Sequence, residues 1–276
     1  MRVHHLNCGT MRPPGGRLIS GTGSVFAAAE MVCHCLLVET EQGLVLIDTG
    51  LGLDDVRHPA GSLPRPFTQL TRPVLAESET AVRQVVQLGY SPEDVRHIVL
   101  THLDLDHAGG LRDFPHAKVH VHETELRAAR AQASAADRSR YRTAQWAHNP
   151  DWEVYPEPDG EHWFGFAAVR DLRGLPPEIL LVPLAGHTVG HAGIAVDTGQ
   201  GWLLHAGDSY FFHEEVNPVS PRCTPGLRAF QNMVQFSRRT RLDNQARLRA
   251  LVGEQAGKVA VFSAHDPVEL ARHRRP

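Results

Sequence analysis

The stretch THLDLDHAGG, residues 101–110, places four side chains that can bind a metal ion within six positions. They are His102, Asp104, Asp106 and His107, and they follow VRHIVL (95–100), a pattern typical of a short buried strand. A polar turn would explain any one of these residues by itself. Four ligand-type side chains directly after one strand favour a metal site, and the rest of the chain is needed to decide between the two interpretations.

Three further segments repeat this design, in which an apolar strand is followed by a residue that can bind metal. They are ILLVPLAGHTVGH (179–191) with His187, WLLHAGD (202–208) with Asp208, and VAVFSAHD (259–266) with His265. Loops that follow strands can converge at one edge of a sheet. The converged set would hold four imidazoles and three carboxylates, which suit a pair of first-row divalent ions that share one carboxylate.

The composition is that of an ordinary globular protein and excludes some classes of partner. The chain has 276 residues, a formal net charge of −3, 42% hydrophobic and 21% charged residues. No basic field favours nucleic acid or an anionic membrane. The longest apolar stretch, VFAAAEMVCHCLLV (25–38), contains Glu30 and His34 and is too short to cross a bilayer. Without a secretory signal pattern, we expect a cytoplasmic protein with reduced cysteines.

Strand pairs alternate with helices along the chain, which predicts an α/β sandwich formed by a single domain, residues 1–276. We expect strands at 32–40, 43–48, 179–184, 192–197 and 201–206, and helices at 79–88, 123–136 and much of 226–253. Residues 54–78 are rich in Pro, Arg and Gly and predict a surface loop. Residues 141–177 show little periodicity, so we expect an irregular, cap-like excursion there.

In content and in order, these motifs resemble those of the metallo-β-lactamase-fold hydrolases, whose signature is His-x-His-x-Asp-His, then Gly-His, Asp and His. The matching segments are LIDTG (46–50), THLDLDHAGG, GHTVGH (186–191), AGD (206–208) and AHD (264–266). The resemblance implies a four-layer αβ/βα sandwich with the metals at one edge of two facing sheets. HAGG and GHTVGH look most similar to N-acyl-homoserine-lactone lactonases, although glyoxalase II-type thioesterases share the framework.

Carried over by position, the resemblance assigns a role to each candidate ligand. His102 and His187 would bind one metal together with Asp104; Asp106, His107 and His265 would bind the other, and Asp208 would bridge them. A metal-bridging hydroxide would attack the carbonyl of a lactone or related acyl ester, and Asp106 would move the proton.

Two residues near this set have roles that the sequence leaves less defined. Tyr210 resembles a lactonase tyrosine that reaches the substrate carbonyl, but it lies one position short of the usual spacing, with Phe211 in that slot. Its catalytic role and a role as a core aromatic are both open. Asp48 in LIDTG resembles an acid that orients a ligand histidine.

Asp104 is the departure from the signature, because the family usually has His at that position. A carboxylate there removes one unit of positive charge and favours iron or manganese relative to zinc. We therefore expect two divalent metal ions, with zinc as the first choice and iron or manganese as alternatives. The expected partner is a small acyl substrate, and a homodimer stays open. Alternative functions are a diiron redox protein, a thioesterase like glyoxalase II, and a ligand sensor without turnover.

Overall fold

Two β-sheets pack face to face, and helices cover the outer face of each. The computed structural model describes residues 1–156, 162–168 and 172–274. The first sheet has the strand order β1-β2-β3-β4-β5-β6, with antiparallel pairs from β1 to β3 and parallel pairs from β3 to β6. Its strands are β1 (Arg2–Met11), β2 (Met31–Thr40), β3 (Gly43–Ile47), β4 (Val95–Val99), β5 (Lys118–His122) and β6 (Asp151–Tyr155).

The second sheet is smaller and mostly antiparallel. A short hairpin, β7 (His162–Trp163) with β8 (Phe166–Ala167), precedes it in the chain. Its strands are β9 (Ile179–Pro183), β10 (Ala192–Asp197), β11 (Trp202–His205) and β12 (Val259–Phe262). Their order is β12-β11-β10-β9, and β11 and β12 run parallel. The final strand therefore forms one edge of this sheet, beside β11.

The helices are short except for one near the end of the chain. They are α1 (Arg17–Ser20), α2 (Leu53–Arg57), α3 (Pro59–Ser62), α4 (Arg65–Thr71), α5 (Ala81–Gln87), α6 (Leu105–Ala108), α7 (Glu123–Ala131), α8 (Ala135–Arg140), α9 (Pro225–Val234), α10 (Arg238–Glu254) and α11 (Pro267–His273). Among the described residues, no helix is long and apolar enough to cross a membrane. The four cysteines are free, and the cytoplasmic location stays a prediction.

Strand β2 shows why the sheets are covered on both faces. Leu36 and Val38 pack between the sheets with Ile194 of β10, whereas Leu37 packs on the opposite face with helix residues such as Val85. Successive strand residues point to opposite faces, so a strand that is apolar at every position must be buried on both sides. A third cluster lies between the second sheet and α10. The four-layer αβ/βα sandwich predicted from the sequence is confirmed.

Several predicted elements are wrong in detail. The segment 54–78 is not a loop, because it contains α2, α3 and α4. These helices have four to seven residues each, too few for a helical period to be visible. The segment 141–177, predicted to be an irregular excursion, includes β6, the edge strand of the first sheet, and its residues 157–161 and 169–171 lie outside the described residues. The helix predicted for 226–253 is two helices, α9 and α10, separated at Gln235–Ser237.

A cluster of four histidines lies where α11 packs on the first sheet, and one of them, His205, lies three positions before Asp208. His5 Nδ1 is 2.8 Å from His34 Nε2, and the His5 ring stacks on His273 with centroids 4.5 Å apart. His205 contacts the His34 backbone oxygen at 2.5 Å. Burial, followed by the fields of His273 and His205, lowers the pKa of His5 to about 3, and burial lowers the pKa of His34 well below 6.5.

This cluster predicts that the fold loses stability in mild acid. The unfolded chain protonates His5 near pH 6.5, whereas the folded protein does so near pH 3, so stability falls as pH falls between these values. Replacing His5 by Gln should reduce the slope of unfolding free energy against pH by up to about 1.4 kcal/mol per pH unit. Urea denaturation at pH 4 to 8 measures it. The exposed His116→Gln variant is the control, and equal slopes for His5→Gln and the parent protein would contradict the prediction.

Candidate metal centre

Two groups of ligand-type side chains lie at the edge of the sandwich where the strands end. In the first triad, His102, Asp104 and His187, the Asp104 Oδ2 atom is 2.9 Å from His187 Nε2 and 3.6 Å from His102 Nε2. The nearest ligand atoms of these three residues lie within 4.8 Å of one another. This separation leaves room for an ion that draws all three atoms inward.

The second triad consists of His107, His265 and Asp106. His107 Nε2 and His265 Nε2 are 3.3 Å apart, and Asp106 Oδ2 is 3.7 Å from His265 Nε2. The side chain of Cys33 lies beside this triad, with its sulfur within 4.8 Å of ligand atoms of Asp106 and His265.

Asp208 lies between the two triads and turns one carboxylate oxygen towards each. Its Oδ2 is 3.4 Å from His187 Nε2 and 3.8 Å from His102 Nε2. Its Oδ1 is 3.1 Å from His265 Nε2 and 3.2 Å from His107 Nε2. This is the arrangement that a carboxylate shared by two cations needs.

The local sequence explains how the HLDLDH loop presents its polar residues. Leu103 and Leu105 are buried in the core, which turns the alternating Asp104 and Asp106 towards the ligand cluster. The loop then enters α6 and lies close against the LIDTG turn. A Cβ atom at Gly109 would lie 2.6 Å from the Gly50 oxygen, so the close packing of these two turns requires glycine at that position.

Hydrogen bonds fix which nitrogen of three histidines carries the proton. His265 Nδ1 donates to the Val32 carbonyl at 2.7 Å, because a carbonyl can only accept. His107 Nδ1 donates to the Asp48 carboxylate at 2.8 Å. His102 Nδ1 lies 2.9 Å from Thr101 Oγ1, which itself donates to Asp48. A neutral ring protonated at Nδ1 has a bare lone pair at Nε2, the form in which histidine binds metal.

These lone pairs face the ligand cluster without a donor to satisfy them. The Nε2 atoms of His107 and His265 face each other at 3.3 Å, although neither carries a proton in the neutral ring. His102 Nε2 and Asp208 Oδ1 are buried and have no hydrogen-bond partner. An unsatisfied buried polar atom costs about 1–3 kcal/mol. Cations bound between the triads would remove this cost, so the residues fit a pair of divalent metal ions.

The electrostatics of the cluster also favour positive charge. Burial by itself would lower the pKa of His107, but Asp208 and Asp48 raise it well above 6.5. Burial would raise the pKa of Asp208, but His265, His107 and His187 hold it well below its ordinary value. For Asp48, His107 and its hydrogen bond overcome burial and lower the pKa to about 2. The carboxylates are therefore ionised, and their field attracts a metal cation as it attracts a proton.

Two neighbouring histidines have both ring nitrogens engaged elsewhere. His191 Nδ1 donates to the Leu184 carbonyl at 3.0 Å, and its Nε2 accepts from the backbone N–H of Asp208 at 2.9 Å. His205 contacts the His34 carbonyl and accepts from Gly207 N at 3.2 Å. Both residues support the loop that carries Asp208, and neither has a lone pair free for a metal.

Tyr210 is placed differently from the other candidate residues. Its side chain is fully buried, and its hydroxyl donates to Glu269 Oε1 at 2.9 Å. Phe211 instead lies beside the ligands, where its ring stacks on His265 with centroids 5.1 Å apart. The geometry therefore gives no support to the catalytic role predicted for Tyr210, whose hydroxyl is engaged within the core.

Sequence reasoning missed three residues that contact the candidate ligands or their loops. Glu125 joins the two loops of the first triad, because its carboxylate accepts from Leu103 N at 3.0 Å, Thr188 Oγ1 at 2.7 Å and Gly190 N at 3.1 Å. Arg140 contacts Asp104, and Cys33 lies beside Asp106. No motif marks Glu125 or Arg140, since both lie in an Ala- and Arg-rich segment typical of a solvated helix.

Comparisons with known sequences agree with the motif order. The family model described as the metallo-beta-lactamase superfamily matches residues 29–241. A probable metallo-hydrolase of Mycobacterium tuberculosis is 44% identical over 274 residues, covering 99% of this chain and 83% of that protein. An N-acyl homoserine lactonase of Bacillus thuringiensis is 26% identical over 261 residues, covering 92% of this chain and 91% of that protein.

Comparisons with solved structures show the same fold. An N-acyl homoserine lactone hydrolase with N-hexanoyl-L-homoserine bound at its catalytic metal center has a TM-score of 0.70 and 22% identity, covering 99% of this chain and 96% of that one. AidC, a dizinc quorum-quenching lactonase, has a TM-score of 0.58 and 18% identity, covering 96% and 87%.

The geometry of the two triads predicts that purified protein binds two divalent ions per chain. The His187→Ala and His265→Ala variants should each bind less metal, because each removes one ligand from a different triad. Elemental analysis of each protein, after dialysis against buffer that contains a trace of divalent metal, measures the number of ions bound per chain. The exposed His58→Ala variant should keep the full count. A metal-loaded crystal structure in which His187 and His265 lie far beyond about 2.0–2.1 Å from any ion would contradict the assignment.

Proposed function

Because this chain belongs to the metallo-β-lactamase superfamily and is a metal-dependent hydrolase, we propose that it opens the ring of a lactone or hydrolyses a related acyl ester. The proposal extends to an N-acyl-homoserine lactone as the substrate class. It is supported by the 26% identity with an N-acyl homoserine lactonase over 92% of this chain. A thioesterase activity like that of glyoxalase II is the alternative hydrolysis.

The observation that carries the proposal is the orientation of Asp208 between the histidines of the two triads. Its two oxygens face different triads, at 3.1 to 3.8 Å from the histidine nitrogens. In our assignment His102, Asp104 and His187 would hold one ion and Asp106, His107 and His265 would hold the other, and Asp208 would contact both. Two such ions lower the pKa of bound water and polarise a carbonyl oxygen. No serine or cysteine nucleophile is then needed.

In the proposed reaction, the oxygen of water bonds to the acyl carbon and the ester C–O bond breaks. One proton of the water ends on the leaving alkoxide, so the products are a carboxylic acid and an alcohol, which for a lactone are the two ends of one opened chain. We assign Asp106 to carry this proton, because its side chain is 13% exposed, whereas that of Asp208 is 5% exposed and Asp104, at 15%, is paired with Arg140. A carboxylate that is partly open to the site can meet both the incoming water and the leaving oxygen.

An exposed apolar segment next to the His187 loop is compatible with an acyl substrate. The backbone N–H of Phe236 donates to the His187 carbonyl at 2.9 Å, so this residue lies next to the ligand loop. The Phe236 side chain is 66% exposed, and that of Met233 in α9 is 65% exposed. Exposed apolar groups beside a polar site are typical of binding surfaces. An acyl chain that contacts Phe236 and Met233 would explain why these side chains face solvent.

The activity test is turnover of a panel of lactones, aryl esters and thioesters by metal-loaded protein. We expect lactones to be opened, with the rate increasing when the acyl chain is long enough to reach Phe236. Asp208→Asn should lower kcat/KM by at least about 100-fold, because even residues that merely support a metal ligand contribute 10–100-fold. The exposed Asp151→Asn variant is the matched control. A panel left untouched would contradict hydrolysis of these esters, and selective turnover of thioesters would favour the alternative.

We predict that the carboxylate of Asp104 determines which metal ion the site prefers. A carboxylate is a hard oxygen donor, whereas imidazole suits zinc, so the Asp104→His variant should shift binding towards zinc. Competitive loading with equal zinc, iron and manganese without oxygen, followed by elemental analysis, measures the shift. Identical metal ratios in the parent and the variant would show that Asp104 does not select the metal.

The carboxylate of Asp104, at a position where the family signature has His, also keeps a diiron redox protein as a second candidate function. A diiron redox protein loaded with iron should show charge-transfer absorption that changes on exposure to oxygen, and it should leave the panel of esters unreacted. A hydrolase should not show this combination. Turnover of a lactone by the zinc-loaded protein favours the hydrolase over this alternative.

A further inference from the structure

Arg140, the last residue of α8, reaches from the surface helix to the first triad. Its Nε atom is 3.3 Å from Asp104 Oδ1, an ion-pair contact that lacks hydrogen-bond geometry and leaves this buried oxygen without a hydrogen-bond partner. One of its terminal nitrogens donates to the His187 carbonyl at 2.9 Å, and the other donates to the Val234 carbonyl. The side chain is 17% exposed. Contacts on three sides hold the guanidinium in one place, next to two of the three residues of the triad.

The two oxygens of Asp104 therefore face different groups. Oδ2 faces the ligand nitrogens of His187 and His102, at 2.9 Å and 3.6 Å. Oδ1 faces Arg140 at 3.3 Å. A carboxylate with one oxygen held by a guanidinium has one oxygen left for a metal ion. It also forms a pair whose net charge is zero, as is the charge of a neutral imidazole.

We propose that Arg140 is a positioning residue that allows a carboxylate to serve at the position where the family signature has His. Its positive charge lies against Asp104 Oδ1, which leaves Oδ2 facing the triad, and offsets the additional negative charge. The inference deepens the function proposed above, because it rests on the metal centre assigned there. It predicts that Asp104 and Arg140 act as a unit in metal selection, so that neither residue has its full effect without the other.

The expected effect of removing Arg140 on metal binding depends on whether residue 104 is Asp or His. Without Arg140, Asp104 is free to bind with both oxygens and the triad becomes more negative, which favours hard, oxygen-preferring ions such as Mn²⁺ over Zn²⁺. With His in place of Asp104, Arg140 is an uncompensated cation beside the metal. Its removal should then strengthen the binding of both ions by a similar factor.

The test is a double-mutant cycle on the dissociation constants of Zn²⁺ and Mn²⁺. The four proteins are the parent, Arg140→Met, Asp104→His and the double variant, each freed of metal and titrated in competition with a chromogenic chelator. The Asp104→His variant identifies which of the two binding equivalents belongs to the first triad. We expect Arg140→Met alone to shift the Zn²⁺/Mn²⁺ preference towards Mn²⁺ by about tenfold. In the Asp104→His background, the same substitution should leave the preference unchanged.

Arg140→Lys is the matched variant, because it keeps the charge and should keep the parent's metal preference. The melting temperature of each metal-free protein checks folding, and Arg140→Gln replaces Arg140→Met if that variant does not fold. Arg140→Met that weakens both ions equally in both backgrounds would overturn the proposal and leave Arg140 as an anchor for backbone carbonyls. A lysine variant with the methionine variant's preference would also overturn it. If the parent protein binds neither ion, the proposed function is wrong as well. The two outcomes described for the methionine and lysine variants overturn only the inference about Arg140.

Discussion

The Asp48 carboxylate is the point at which the first sheet and the candidate metal centre are joined. It lies directly after β3, in a left-handed backbone conformation with φ 54°, and accepts from Thr101 N at 2.8 Å, Thr101 Oγ1 at 2.7 Å and His107 Nδ1 at 2.8 Å. Through Thr101 it also determines the tautomer of His102. One buried anion thus connects the ends of two neighbouring strands and prepares two ligands, one for each triad.

The same centre collects negative charge that a folded protein must offset. Asp48, Asp104 and Asp208 are buried or nearly so, and the histidines around them direct their Nε2 atoms towards one space. Burying charge is unfavourable unless it is paired. Metal ions would supply most of the compensation, and Arg140 supplies a fixed positive charge at the one ligand that departs from the family signature. The centre is thereby prepared for cations before they bind.

The fold class followed from the sequence because its main signals are local. Strands that are apolar along most of their length, such as β2 and β9, predict burial on both faces, and the two-sheet sandwich confirms it. The elements that were missed depend on distant partners. The segment of β1 contains polar residues and becomes a strand by pairing with β2. The break between α9 and α10 lies where Phe236 N and Ser237 N donate to the carbonyls of His187 and Gly186, a contact that helix propensity does not encode.

The sequence by itself determined the identity and order of the seven candidate ligands, because each follows a recognisable strand and short motifs carry their spacing. The tertiary structure decided how they face one another: the two directions of Asp208, the tautomers of three histidines, and the pairing of Asp104 with Arg140 across 36 positions of chain. It also decided that Phe211, and not Tyr210, lies beside His265. Side-chain direction and hydrogen-bond partners arise from contacts between segments far apart in the chain, so no local pattern records them.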